Sequence, residues 1–301
     1  MLADNCKFFT VFTPTYNRAY RLGKLFESLC AQTFCDFEWV IVDDGSVDDT
    51  EELVKYFALT AKFPIIYEKT INGGKHRATN VGIKLAKGKW FANVDSDDYL
   101  EKDALQIINN TLSQVKSGEI VSTVIALDRF ANGDVIGEKF TQNLKDYVDM
   151  VCCGIHGDKF IILFTEFLKQ NPFKEFSGEK FITESSLFFQ YAQKYSDTRT
   201  MFINKPLYIA EYLPDGLTKH SFITRVNSVN GCLYSYLLFW RVLKHCKMRW
   251  RYAINYYRFL FHGRDRGAKF DDEVLSHEIP IFFACFGYFL YLKDRVGEIA
   301  K

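Results

Sequence analysis

The sequence predicts an α/β fold: a mostly parallel sheet flanked by helices, followed by a helical C-terminal segment. Three observations point to it. β-branched and apolar runs alternate with stretches of helical spacing through the first hundred residues, the pattern of βαβ units. Acidic clusters at 43–44 and 95–98 end two of those runs, and sites in parallel sheets lie at the carboxyl ends of strands. From Leu217 onward the pattern is helical only.

The elements follow in order. Phe8 to Thr13 reads as a buried strand. Leu22, Leu25, Phe26 and Leu29 recur at helical spacing. Trp39 to Val42 is a second strand, closed by Asp43-Asp44-Gly45-Ser46. Asp48 or Asp49 can cap a helix running to about Leu59. Pro64 to Glu68 is a third strand. Asn72-Gly73-Gly74 opens a helix through Leu85, stopped near Gly88. Trp90 to Val94 is a fourth strand, ended by Asp95-Ser96-Asp97-Asp98. Beyond Leu100 we expect a helix over Ala104–Val115, a strand near Ile120–Leu127, a helix over Glu184–Ala192 and a strand over Thr200–Ile203. Helices over Tyr234–Cys246 and Arg251–His262 complete the reading. We place the domain boundary between residues 215 and 216, with a catalytic domain over 1–215 and a basic, aromatic helical region over 216–301.

Composition sets the frame. The chain has 301 residues, with 48% hydrophobic, 25% charged and 17% aromatic, a mix that packs a core and excludes disorder. The net charge of +1 conceals an asymmetry. No acidic residue lies between Asp215 and Asp265, while Lys219, Arg225, Arg241, Lys244, Lys247, Arg249, Arg251, Arg258 and Arg264 do. The N-terminus lacks the basic and apolar regions of a secretory signal. The longest apolar run, Ile279 to Leu292, falls short of the roughly 20 residues that a span needs. Eight scattered cysteines without a Cys-x-x-Cys pair fit free thiols in a reducing cytoplasm.

Four clusters carry chemistry. Asp95-Ser96-Asp97 is a D-x-D at a strand end, where two hard carboxylates can hold a divalent cation; it also reads as a solvated turn. Asp43-Asp44 can accept a ring N–H of a base, or fold back on its own backbone. In Thr13-Pro14-Thr15-Tyr16-Asn17-Arg18, Pro14 stops the strand, Tyr16 offers a stacking ring and Arg18 a phosphate fork. Asn72-Gly73-Gly74-Lys75-His76-Arg77 opens a helix whose N-terminus favours anions.

In their joint order, T-P-T-Y-N-R, V-D-D-G-S, N-G-G-K-H-R-A-T-N-V-G and N-V-D-S-D-D resemble the inverting family 2 glycosyltransferases of bacterial surface polysaccharides. The resemblance is strong over about the first hundred residues and continues to about Thr218. It implies a GT-A fold with a Rossmann-like sheet and a nucleotide-sugar donor, most often UDP-linked. It implies that Thr13, Pro14, Tyr16, Arg18, Asp43 and Asp44 line the nucleotide pocket with Gly74, Lys75, Asp95 and Ser96. Asp97, with Asp95, would bind Mn²⁺ or Mg²⁺.

The family commonly carries Glu-Asp at the start of a helix below the acceptor. Here the Asp position is Ser185, which leaves Glu184 as the expected base and Glu179 as a second candidate. His156-Gly157-Asp158-Lys159 precedes this segment and is a candidate to shape the acceptor side. The processive Q-x-x-R-W motif is broken, because Cys246 stands where Gln would precede Arg249-Trp250. We therefore expect transfer of one sugar to a glycan or polyprenyl-linked acceptor. The two-faced Arg251–His262 helix either suits an anionic membrane surface or packs on the catalytic body with a solvated polar face; the first gives a cytoplasmic protein held peripherally at the inner membrane face, with no nucleic-acid partner expected. Two other readings stand beside this one. A nucleotidyltransferase of similar fold would carry a G-x-G-[TS]-R-[LM] loop, and Thr13–Arg18 has no glycine. An inactive membrane-bound scaffold would not need Asp95, Asp97 and Glu184.

Overall fold

The structure, a computed structural model, describes residues 7–211 and 221–299. The proposed boundary at 215/216, and Lys219 of the basic segment, lie outside the described residues. The elements in chain order are β1 (Phe9–Thr15), α1 (Ala19–Cys30), β2 (Phe37–Asp43), α2 (Thr50–Thr60), β3 (Ile65–Lys69), α3 (Lys75–Leu85), β4 (Trp90–Asn93) and β5 (Tyr99–Leu100). They continue with α4 (Ala104–Leu112), β6 (Val121–Phe130), α5 (Tyr147–Cys152), β7 (Lys159–Phe164), α6 (Thr165–Gln170), α7 (Ser185–Lys194) and β8 (Arg199–Ala210). Four helices end the chain: α8 (Ser221–Asn227), α9 (Val229–Val242), α10 (Met248–Asp265) and α11 (Phe283–Ile299).

The sheet has eight strands in the order β3-β2-β1-β4-β7-β6-β8-β5. β3, β2, β1 and β4 are parallel, as the sequence predicts. β7 enters antiparallel to both β4 and β6, and β5 antiparallel to β8. The sequence reading missed β7 because Lys159-Phe-Ile-Ile-Leu-Phe164 is a continuous apolar run without alternation. It is buried on both faces as a central strand of a mixed sheet.

Trp39, Phe37, Phe57 and Leu25 are buried below the β1–β3 half. The Phe26 and Phe57 rings stack at 4.1 Å, which accounts for part of the aromatic excess. α3 presses against β1 at Gly82. A Cβ there would lie 2.2 Å from the Phe12 ring, so glycine sets the helix distance and with it the position of Lys75 at the helix start.

By contacts the described chain forms two compact units, 7–172 with 195–211, and 173–194 with 221–299. The first holds the sheet. The second is helical and includes α7 with the Glu184 segment. Within it α9 is the buried centre, with Cys232, Leu233, Leu237 and Phe239 inside.

α10 departs from the two-faced helix read from sequence. Its apolar side is buried as expected at Ala253, Tyr256 and Leu260, but its polar side does not face solvent as a whole. Arg258 donates to both carboxylate oxygens of Asp294 on α11, at 2.6 and 2.5 Å. His262, 1% exposed, meets the same carboxylate at 2.9 Å. Arg241 is likewise paired with Glu278. The basic stretch is partly neutralised by acids further along the chain. Among the described residues no helix is long and apolar enough to cross a membrane, and the described cysteines are free thiols.

Candidate active site

The loops that follow β1, β2, β3 and β4 meet above the parallel half of the sheet. After β1, Asn17 takes a left-handed conformation with φ of 52°. Its N–H donates to Ser46 Oγ at 2.8 Å, and its Oδ1 accepts from Val47 N–H at 2.9 Å. Asp48, also after β2, accepts from the Ala19 N–H at 3.0 Å and so caps α1. These bonds tie the Thr13–Arg18 loop to the loop after β2.

Asp43 is fully buried. Its Oδ1 accepts from Ser46 N–H at 2.7 Å and its Oδ2 from the Tyr67 hydroxyl at 2.6 Å. Burial and that carboxylate push the Tyr67 phenol up. Asp44 reaches the next loop. Its carboxylate accepts from Gly73 N–H at 2.6 Å, Gly74 N–H at 2.8 Å and Asn72 Nδ2 at 3.2 Å. Gly74 has φ of 96°, a backbone state open to glycine, and it is the N-cap of α3.

Lys75, the first residue of α3, donates to Asp95 at 2.8 Å. Asp95, Asp97 and Asp98 offer carboxylate oxygens that all lie within 4.8 Å of one another. Burial first, then the Asp95 charge, raises Asp97, against the opposing pull of Arg18 and Lys75. The same two causes raise Asp98 to about 7. Such crowding of half-buried oxygens shows a donor set short of positive charge. Hard oxygen ligands in that state fit Mn²⁺ or Mg²⁺.

Tyr208 on β8 organises this cluster. Its hydroxyl donates to Asp98 Oδ2 at 2.6 Å and accepts from the Asp95 N–H at 3.1 Å. Glu211 N–H reaches Asp98 Oδ1 at 2.7 Å. Asp95 and Asp97 belong to the D-x-D expected from sequence, whereas Asp98 and Tyr208 join them only in the structure. Asp98 was readable as the next residue of the cluster. Tyr208 had no local signal, because it arrives from a strand more than a hundred positions on.

The other expected residues are placed as follows. Thr13 is fully buried in β1, and its hydroxyl accepts from Trp39 Nε1 at 2.9 Å. Pro14 lies beyond the β4 ladder, which ends at Phe12. Tyr16 is 48% exposed, and Ser96 is buried. Arg18 donates to the Tyr20 hydroxyl. Lys159 turns its ammonium onto the carbonyls of Ile136 and His156, a loop-holding contact. Glu184 lies in the second unit directly before α7, half-buried, and its carbonyl accepts from Leu187 N–H at 3.0 Å. Glu179 is buried and accepts from Asn230 N–H and Gly231 N–H, both at 2.8 Å. It caps a helix and is not a free carboxylate.

A family model described as glycosyl transferase family 2 matches residues 10–164. The poly(ribitol-phosphate) β-N-acetylglucosaminyltransferase TarS of Staphylococcus aureus is 37% identical over 100 residues, 33% of this chain and 18% of TarS. The chain thus aligns with under a fifth of that relative. The glycosyltransferase GlyG of Streptococcus pneumoniae is 27% identical over 219 residues, 66% of this chain and 69% of its own. A TarS fragment crystallised with UDP-GlcNAc superposes with a TM-score of 0.63 at 21% identity, covering 85% of this chain and 72% of that one. A mannosyltransferase of Pyrobaculum calidifontis, in complex with GDP-Man and Mn²⁺, gives 0.57 at 16% identity, covering 96% and 88%.

Proposed function

The chain belongs to glycosyl transferase family 2 and is a glycosyltransferase of GT-A fold, and from that premise we propose that it transfers one sugar from UDP to a hydroxyl of a glycan or polyprenyl-linked acceptor, with inversion. The observation that carries this reading is the convergence of Lys75, Asp95 and Asp97 beside the Asp44-held 72–74 loop. A nucleoside diphosphate needs a base pocket, a cation beside its phosphates and a place for a metal, and the meeting of Lys75, Asp95 and Asp97 supports the last two.

In this reading Tyr16 supplies a ring face for the uracil, and Asp43 and Asp44 shape the polar edge of its pocket. Lys75 and Arg18 face the diphosphate, with the Gly74 backbone close by. Asp97, with Asp95, would hold Mn²⁺ or Mg²⁺, which supplies charge neutralisation for the departing diphosphate. The acceptor oxygen bonds to the anomeric carbon as the bond to the diphosphate oxygen breaks, and that oxygen keeps the electron pair. Glu184 takes the acceptor proton. Support for Glu184 is the resemblance to the family's Glu-Asp at a helix start and its half-buried place directly before α7. Membrane contact at the cytoplasmic face belongs to the same proposal. It suits an acceptor built on a polyprenyl carrier.

UDP titration with and without Mn²⁺ tests the donor site. We expect Mn²⁺ to tighten UDP at least about tenfold, and Asp97→Asn to remove both that gain and turnover. Tight UDP binding indifferent to EDTA would remove the metal role. Glu184→Gln should keep UDP binding and lose transfer by at least about 100-fold; full activity would move the base elsewhere.

A further inference from the structure

α11 turns Tyr288, Tyr291 and the Asp294 carboxylate toward α10, where they meet Phe261, Arg258 and His262. Tyr257 on α10 also donates to the Ile279 carbonyl, just before the helix, at 2.7 Å. The opposite side is apolar and open. Phe286 is 56% exposed, Phe289 68%, Leu292 43% and Val296 68%. Their spacing of three and four places them on one stripe of a helix. Ile281 and Phe282, just ahead of the helix, are also 80% and 57% exposed. Soluble proteins rarely leave a contiguous row of large aromatics uncovered.

The charge beside this stripe selects its occupant. Trp240 meets the Phe283 ring at the start of α11, and Arg249 lies 3.4 Å over the Trp240 ring. Through these contacts the open end of α11 adjoins the 244–251 segment. There Lys244, Lys247, Arg251 and Trp250 are exposed. Lys293 is exposed on the stripe itself. Aromatics flanked by lysine and arginine suit an interface of acyl chains and anionic headgroups. A second copy docking by the same patch would bring these cations onto themselves.

We propose that α11, with Ile281 and Phe282, lies in the surface of an anionic lipid bilayer, apolar stripe down, with Lys244, Lys247 and Arg251 on the headgroups. This deepens the membrane contact proposed above and moves it from α10, whose Arg258 and His262 are taken by Asp294, to the next helix. It stands apart from the donor chemistry, which UDP binding measures separately.

Vesicle flotation of the full chain tests it, with phosphatidylglycerol-containing and pure phosphatidylcholine vesicles. We expect flotation with the anionic vesicles only. The double variant Phe286→Glu, Phe289→Glu should lower partitioning at least about tenfold while UDP binding stays at the wild-type value. Lys244→Glu with Lys247→Glu should remove the preference for anionic lipid. Wild-type protein that fails to float, or a double variant that floats as well as wild type, overturns the proposal. So does a concentration-dependent dimer, seen by sedimentation without lipid binding and dissolved by the double variant, which would assign the stripe to a second copy. Unchanged UDP binding in any of these outcomes would leave the donor-site reading standing.

Discussion

Asp43 and Asp44 are neighbours at the end of β2, and their carboxylates turn to different partners. Asp43 is held by Ser46 and Tyr67 inside the β2–β3 corner. Asp44 crosses to the next loop and takes two backbone N–H groups there. A carboxylate with two backbone donors fixes a loop more firmly than a neutral side chain, since charge-assisted bonds are shorter and stronger. Removing it leaves both N–H groups without that partner, at a cost of about 1–3 kcal/mol. We therefore predict that Asp44→Ala lowers stability by about 2 kcal/mol in urea denaturation and weakens UDP at least about tenfold by calorimetry. The 72–74 loop would lose the conformation that the proposed donor site relies on. An unchanged UDP affinity in a folded variant would confine Asp44 to a structural role.

At the scale of elements, α9 shows how a distant residue completes a helix. Its N-cap residue, Ser228, makes no side-chain cap. The N–H groups of Asn230 and Gly231, the second and third positions of the helix, bond to Glu179 instead. Gly231 is required because a Cβ would lie 2.4 Å from the Phe181 carbonyl. The segment leading to Glu184 is thereby pinned to α9. Glu179→Ala should cost about 2 kcal/mol of stability, and Glu179→Gln less, because the amide keeps one acceptor oxygen; thermal denaturation measures both. Such a cap is invisible in sequence, where S-x-x-E near residue 228 is what a local reading seeks. The same distinction decides what else was legible. The parallel β1–β4 half was readable because its periodicity and its Asp and Gly punctuation are local. The short motifs that hold Lys75, Asp95 and Asp97, in the loops after β3 and β4, were readable for the same reason. β7, Tyr208 and the Asp294 partner of Arg258 were not, because each owes its place to contacts between distant segments. Apolar runs alone also misplace helices: Ile279–Leu292 reads as one run, yet its first four residues precede α11 and its stripe faces outward.

At the scale of the whole molecule, burial sets the charge state of its inner carboxylates. Asp128 on β6 is 3% exposed, and its Oδ1 has no hydrogen-bond partner. Burial, then the neighbouring Asp158 charge, raises it to about 8, against the pull of Lys159. An unfolded aspartate titrates near 4. Between about pH 4 and 8 the folded chain therefore holds a proton on Asp128 that the unfolded chain has released. Stability falls with pH wherever the folded state binds more protons, so this group's contribution is full below about pH 4 and is lost as pH rises through about 8. Asp97 and Asp98 are raised in the same direction, so their effects add. The prediction is that metal-free protein loses stability steadily from pH 5 to pH 8. Asp128→Asn, which keeps the shape and removes the proton, should flatten that slope and exceed wild type at pH 8 by about 1 kcal/mol or more. Denaturant titrations at pH 5, 6.5 and 8 decide it. Parallel wild-type and Asp128→Asn profiles would mean that Asp128 does not change its protonation on folding.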